Sequence, residues 1–456
     1  MAEIDKDIVL IANRGEIALR IIRACRRLGL RAVCAYSEGD RGAAYLDLAD
    51  QAICVGPAPA MNSYLNIPAL LAAADATGAG FIHPGYGFLS ESPEFAEAVR
   101  DAGLTLIGPS ADVMRMMGDK VQAKRAMMTA GVPCVPGPDS VLSGDLPEIS
   151  RVAEEIGYPV ILKAAGGGGG RGMRMVRQQS ELRDAYMVTR QEAQRFFGNP
   201  GIYMEKFLER PRHVEIQVIA DSHGNALWLG DRDCSMQRRH QKMIEEAPAP
   251  GIDRDHIAEI GARCAESCRE IGYTGAGTFE FLYEDGQFYF IEMNTRIQVE
   301  HPVTEMVTGL DIVALQIDVA RGGQLPYSQA QIHSIGHAIE CRINAEDPDS
   351  FAPSPGRITA MHVPGGPGIR MDSHVCAGEA IPASYDSMIG KVIAHGRNRA
   401  EALARARSAL SEMRIEGVAS NLPLHRELLA DPGFREGGVS IHHLENWLAA
   451  REKSDG

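Results

Sequence analysis

Lys163-Ala164-Ala165-Gly166-Gly167-Gly168-Gly169-Gly170-Arg171-Gly172-Met173 is the stretch on which the reading of the fold turns. Glycine loses the most conformational freedom on folding. Five in succession imply a loop that must move, or whose backbone must approach a ligand closely. Backbone N–H groups in such a loop can cradle phosphate oxygens. The order of residues decides which kind of loop this is. A P-loop places its lysine after the glycines, followed by Ser or Thr and a helix. Here Lys163 precedes them, an apolar run at 159–164 leads in, and Met173–Val176 leads out as a second strand. The pattern predicts a strand–loop–strand flap closing over a nucleotide. A plain mobile linker is the alternative this segment alone leaves open.

Upstream, Ile8-Val9-Leu10-Ile11-Ala12 is a short apolar run suited to a buried parallel strand. Ile17, Ile21, Ile22, Cys25 and Leu28 then recur at helical spacing, and 31–36 reads as a second strand. Further strands are expected at 52–55, 80–83 and 104–107. Residues 1–110 therefore read as an open parallel α/β domain. Its first turn, Asn13-Arg14-Gly15-Glu16, has one glycine where a dinucleotide fingerprint needs three, so nicotinamide binding is not expected. Residues 111–135 read as a helical linker and 136–207 as a small α/β lid unit around the glycine loop. Residues 208–448 read as a larger antiparallel α+β region, with strands at 214–220, 226–229, 277–283 and 287–294. Residues 449–456 form a polar tail.

Downstream lies a hairpin pattern, Thr278-Phe-Glu280-Phe-Leu-Tyr-Glu-Asp285-Gly286-Gln-Phe-Tyr-Phe-Ile-Glu292-Met-Asn294. Glu292 and Asn294 share a strand face because they are two apart. A two-residue Asp285-Gly286 loop would put Glu280 on the opposite face. A three-residue loop, Glu284-Asp285-Gly286, would put it on the same face, and that loop is expected here. Two carboxylates and an amide oxygen would then converge, which is costly unless a cation fills the site. Hard oxygen ligands suit Mg²⁺ bridging nucleotide phosphates. A solvated polar face is the plainer reading. Arg296, Gln298 and Glu300 follow at two-residue spacing. Arginine offers a planar fork for a small planar oxyanion, and Glu300 could serve as a general base. A surface ion-pair ladder would look the same. The stretch Asp233-Cys-Ser-Met-Gln237-Arg-Arg-His240-Gln-Lys242 adds cations, and can equally be a basic loop.

Composition narrows the function classes. The chain has 456 residues, with 60 acidic against 46 basic side chains and a net charge of −14. That balance argues against nucleic acid as partner. The nine cysteines are scattered, without a CxxC pair, and read as reduced thiols packed as small hydrophobes. Cys234 alone, in a dense polar motif, competes with Glu300 for an acid–base role. The N-terminus is not a signal peptide, and no run of about 18 apolar residues occurs, so a cytoplasmic protein with no membrane contact is expected.

Taken together these motifs closely resemble the biotin carboxylase family of the ATP-grasp superfamily, in its free-standing bacterial form. The similarity runs from Ile8 to about Leu448. It is carried by IANRGEIALRI, IHPGYGFLSE, YPVILKAAGGGGGRGM, EKFLERPRHVEIQV, RDCSMQRRHQK, FIEMNTRIQVEHPVTE, GHAIECRINAED and YDSMIGK, in the family's order. The resemblance implies an ATP-grasp fold. It implies roles for individual residues as well. Lys120 and Lys163 would contact the nucleotide phosphates, and Gly168, Gly169 and Gly170 with Met173 would form the flap. Glu205, Lys206 and Leu208 would hold the adenine, with His213, Gln237, His240 and Leu282 completing the pocket. Glu280, Glu292 and Asn294 would bind Mg²⁺ or Mn²⁺. Lys242, Arg296, Gln298, Val299 and Glu300 would bind bicarbonate. Arg342 and Tyr86 would meet biotin, with Glu300, Arg342, Arg296 and Lys242 as the catalytic set.

It further implies ATP-dependent carboxylation of biotin through carboxyphosphate, the first half-reaction of an acyl-CoA carboxylase in fatty acid biosynthesis. Acetyl-CoA is the expected final acceptor. No segment with a lysine between two methionines occurs, so biotin is expected on a separate carrier protein, with separate carboxyltransferase subunits and a homodimeric enzyme. A pyruvate- or propionyl-CoA-type system, another ATP-grasp ligase, and a nucleotide-binding scaffold without chemistry are the rival readings.

Overall fold

The computed structural model describes residues 5–138, 140–165 and 172–454, apart from the side chains of 452 and 454. The glycines at 168–170 lie outside the described residues.

A five-stranded parallel sheet opens the chain, in the spatial order Gln51–Gly56, Arg31–Ser37, Asp5–Ile11, Ala79–His83, Thr105–Leu106. Val9, Leu10 and Ile11 are wholly buried because helices cover both faces of such a sheet. Helix Gly15–Arg27 follows the first strand, with Gly15 supplying the left-handed φ of 68° at the turn. Two helices then lead out of the domain. Ala111–Gly118 is capped by Ser110, and Lys120–Thr129 by Asp119, whose carboxylate accepts from the Val121 and Gln122 amides at 2.9 Å. The cap fixes where the second helix starts, and so where Lys120 and Lys124 stand, one turn apart.

A three-stranded antiparallel sheet carries the glycine segment, in the order Met173–Val176, Val160–Ala164, Ile202–Lys206. Val160, Leu162 and Ala164 point into a core shared with helices Leu146–Ile156 and Gln179–Phe197. The alternation leaves Ile161 and Lys163 on the other face, beside Tyr203 and Glu205.

The largest sheet has eight antiparallel strands. Their order is Gln287–Asn294, Gly275–Glu284, Arg212–Ala220, Ala226–Arg238, Gln241–Ala247, His337–Asn344, Met388–Gly396 and Ile369–Ser373. Val214, Ile216, Val218, Phe279 and Phe281 pack beneath helix Arg254–Glu270. The residues between them, His213, Glu215, Gln217 and Glu280, form a polar stripe on the opposite face. The segment 295–308 lies over that stripe, held by Arg232. Its guanidinium is fully buried and hydrogen-bonded to Glu215, Gln217, Thr278, Gln298 and Thr304. A buried charge of this kind is tolerated when every donor finds a partner.

One expectation is corrected here. The hairpin loop has two residues, not three: Glu284 pairs with Gln287, and Asp285 and Gly286 take φ of 49° and 77°. A β-bulge nevertheless puts Glu280 and Glu292 on one face. The register shifts so that Phe281 opposes Phe290 while Glu280 opposes Glu292, leaving Ile291 as the extra residue. The 233–242 stretch is likewise a hairpin with a tight turn at Arg239-His240, rather than a loose basic loop.

Candidate active site

One cavity of about 1220 Å³ lies between the eight-stranded sheet, the three-stranded sheet and the helix that begins at Lys120. Its lining includes Lys120, Lys163, Met173, Glu205, Lys206, Leu208, His213, Gln237, His240, Lys242, Glu280, Leu282, Glu292, Asn294, Arg296, Gln298, Val299, Glu300 and Arg342. Residues from 120 to 342 thus meet in one space. Tyr86 is not among the lining residues. Its hydroxyl donates to Glu16 behind the cavity.

At one end, Lys163 Nζ lies 2.6 Å from Glu205 and Lys124 Nζ lies 3.2 Å from the same carboxylate. Burial alone would raise the Glu205 carboxyl, but the two ammonium groups overcome it and hold it below its usual range. Lys206 donates to the Gly157 and Tyr158 carbonyls at 2.9 and 3.0 Å, joining its strand to the loop before the neighbouring strand Val160–Ala164.

The other end centres on Lys242. Its ammonium lies 2.7 Å from Glu215, 2.9 Å from Glu280 and 2.6 Å from Glu300. Glu300 stands at the start of helix His301–Thr308 without capping it by its side chain, so the carboxylate is left for cations. Arg342 reaches it at 3.0 Å while bonding Glu245 at 2.5 Å. Burial would raise the Glu300 carboxyl. Lys242, Arg342 and Arg232 outweigh that and hold it well below the carboxylate range. Arg296 bonds Glu91 at 2.9 Å and the Asn294 amide oxygen at 2.8 Å. Gln298 donates to Glu280 at 2.7 Å. Cys234 lies 4.0 Å from Glu300, but burial pushes its thiol well above the usual range, which works against a thiolate there.

Between the ends stand Glu280, Glu292 and Asn294. Glu280 is held well down, since Lys242 and His213 outweigh burial. Glu292 is pushed up, by burial and by the Glu280 charge facing it. Two opposed carboxylates that repel each other, with an amide oxygen alongside, fit a hard divalent cation, whose charge removes the repulsion.

Sequence reasoning missed Glu215, Arg232, Lys124 and Glu245. Some signals were there. His213, Glu215 and Gln217 alternate with Val214, Ile216 and Val218, and Lys124 stands four residues after Lys120. Nothing local distinguishes Glu245, whose role depends on Arg342 of the neighbouring strand.

Comparison with known proteins identifies the family. Family models match end to end along the chain. Residues 5–114 match "Biotin carboxylase, N-terminal domain", 119–328 match "Carbamoyl-phosphate synthase L chain, ATP binding domain", and 340–446 match "Biotin carboxylase C-terminal domain". A biotin carboxylase of Haemophilus influenzae is 59% identical over 444 residues, covering 97% of this chain and 99% of that protein. The crystal structure of a biotin carboxylase–beta-gamma-ATP complex from Campylobacter jejuni superposes with a TM-score of 0.91 at 48% identity, covering 97% and 99% of the two chains. The biotin carboxylase domain dimer of a Hydrogenobacter thermophilus 2-oxoglutarate carboxylase, with MgADP, ADP and bicarbonate, gives 0.88 at 47% identity, covering 96% and 97%. On sequence and fold, the chain belongs to the biotin carboxylase family.

Proposed function

We propose that the protein uses ATP and bicarbonate to carboxylate biotin carried on a separate protein, through carboxyphosphate. One observation carries the reading. Lys242 bonds Glu280 on the side of the acidic hairpin and Glu300 on the side of Arg342, so a single ammonium joins the two halves of one cavity.

The roles divide along that cavity. Lys120 and Lys163, with Gly168–Gly170 and Met173, hold the nucleotide phosphates. Glu205, Lys206, Leu208, His213, Gln237, His240 and Leu282 enclose the nucleoside. Glu280, Glu292 and Asn294 hold Mg²⁺ or Mn²⁺, which supplies charge neutralisation at the phosphates when bound. Lys242, Arg296, Gln298 and Val299 orient bicarbonate against Glu300. A carboxylate held down by Lys242 and Arg342 is a weak base. Once bicarbonate shares those cations, Glu300 regains basicity and takes the bicarbonate proton. The freed oxyanion attacks the γ-phosphate, giving carboxyphosphate and ADP. Carboxyphosphate parts into CO₂ and phosphate, and the phosphate accepts the biotin N1 proton. Arg342 stabilises the charge that develops on the ureido oxygen, and biotin then captures CO₂. Tyr86 supports the biotin side from behind, through Glu16.

The three larger sheets support a division at 1–110, 111–135, 136–207 and 208–448, with a polar tail at 449–456. The partners that fit are a biotin carboxyl carrier protein and carboxyltransferase subunits, with the enzyme itself a homodimer in the cytoplasm. Among the described residues no helix is long and apolar enough to cross a membrane. Acetyl-CoA is the proposed final acceptor. A pyruvate or 2-oxo acid system is the second reading, favoured by the 2-oxoglutarate carboxylase among the similar structures.

Bicarbonate-dependent ATP hydrolysis, with and without free biotin, tests the reading. Glu300→Gln is expected to leave ATP binding nearly intact and to cut that hydrolysis by roughly 10²-fold or more. A rate close to that of the unaltered protein removes Glu300 from the role of base.

A further inference from the structure

We propose that Lys391 is a positioning residue for the bicarbonate turn: buried behind the cavity, it holds the Val299 carbonyl and so fixes where Gln298 and Glu300 reach. The inference rests on the reading of that turn as the bicarbonate site. Lys391 stands on strand Met388–Gly396 and is wholly buried. Its ammonium donates to Val299 O at 2.7 Å and pairs with Glu16 at 3.0 Å. Glu16 in turn accepts the Tyr86 hydroxyl. The Asn13 side chain, three residues before Glu16, donates to the Pro84 and Tyr86 carbonyls at 2.7 Å each. The single-glycine turn at 13–16 thus acquires a task. It anchors a cation that reaches from the eight-stranded sheet to the catalytic turn.

The chemistry favours a role beyond filling space. A buried ammonium costs more than an apolar side chain of similar size, so its retention calls for specific partners. Burial works against its charge, but Glu16 and Glu340 outweigh burial and keep it protonated. Of these two, Glu16 makes the bond. The Glu340 carboxyl has no hydrogen-bond partner. Val299 lies between two residues whose side chains face the cavity. Gln298 bonds Glu280, and Glu300 bonds Lys242 and Arg342. A hinge of the turn about Val299 would move both together while leaving the Lys163 end untouched.

Steady-state kinetics of bicarbonate-dependent ATP hydrolysis test this, together with direct measurement of ATP binding. Lys391→Met is expected to raise the KM for bicarbonate about 10- to 100-fold, as for a lost hydrogen bond to a charged group, with the ATP dissociation constant unchanged. That variant strands Glu16 and can fail to fold. The double variant Lys391→Met with Glu16→Gln leaves no stranded carboxylate at position 16 and keeps an acceptor for Tyr86, and the same rise in bicarbonate KM is expected from it. A bicarbonate KM equal to that of the unaltered protein in the folded double variant overturns the role of Lys391. So does a parallel loss of ATP binding, which would mark general damage. If the unaltered protein itself hydrolyses ATP without regard to bicarbonate, the functional reading falls, an outcome distinct from either.

Discussion

Two hairpins build the centre of the cavity, and they solve opposite problems. The hairpin of Gly275–Glu284 and Gln287–Asn294 turns on Asp285-Gly286, residues suited to a two-residue turn with both φ positive. Its backbone is comfortable and its side chains are not, because Glu280 faces Glu292 directly. The hairpin of Ala226–Arg238 and Gln241–Ala247 turns on Arg239-His240, which hold φ of 48° and 65° without help from glycine. Here the backbone is strained, while the side chain it delivers, Lys242, is satisfied three times over. The Arg239 amide bonds Glu445 at 3.1 Å, and the Arg238 guanidinium stacks 3.7 Å from the Phe351 ring, so the strained turn is tied down from outside. Strain tolerated next to a functional group, and held by its surroundings, is what a site asks of a scaffold.

Replacing the common ammonium should produce the largest effect. Lys242→Met leaves Glu215, Glu280 and Glu300 without their shared cation. Bicarbonate-dependent ATP hydrolysis is expected to fall about 10³-fold, with thermal stability falling too. A variant that keeps its rate would sever the two hairpins as a functional unit.

The brace beside the second hairpin should titrate. Strand His337–Asn344 pairs with Gln241–Ala247, and the Arg342 carbonyl on it meets His425 Nε2 at 2.7 Å. Burial lowers His425 from 6.5 to about 4. The folded pKa is depressed, so the unfolded chain takes up the proton first. The stabilisation is full above pH 6.5 and is lost as pH falls toward 4, an effect on the order of 3 kcal/mol. Denaturant unfolding of the native protein and of His425→Gln across that range should show a shallower acid slope in the variant.

Exchanging the turns gives the smallest effect and bears most closely on the contrast. Arg239→Asn with His240→Gly is expected to stabilise the fold by about 2 kcal/mol, and Asp285→Arg with Gly286→His to destabilise it by about as much. Because His240 lines the cavity, the first exchange should also weaken ATP binding. Thermal unfolding and ATP titration on both variants measure the two effects. Equal stability changes of the same sign would mean that turn chemistry does not distinguish the hairpins.

These contrasts also mark what the sequence made legible. The alternation at 214–220 and 287–294 and the apolar run at 8–12 are local patterns, and each became the strand it suggested. Glu280 and Glu292 do share a face, but through the bulge at Ile291 and not through a longer loop. A bulge is set by how two strands pack against the rest of the sheet, and Ile291 looks like any strand residue in sequence. The partners of Lys242 and Arg342 depend on strand order, which places 215 between 232 and 280, and 245 beside 340. The role argued for Lys391 needs the docking of the first domain onto the large sheet, a contact spanning more than three hundred residues of chain.

Among the described residues, the cations named in the site are already engaged. Lys163 and Lys124 share Glu205, Lys242 holds three carboxylates, Arg342 holds two and Arg296 holds Glu91. An ion entering from solution therefore has to evict a tenant rather than fill a vacancy. Chloride, with one charge and no preferred direction, gains little by the exchange. A planar or tetrahedral oxyanion that can bond several donors at once gains more. Discrimination against the commonest anions in the surrounding fluid is then written into the protein's own acidic side chains.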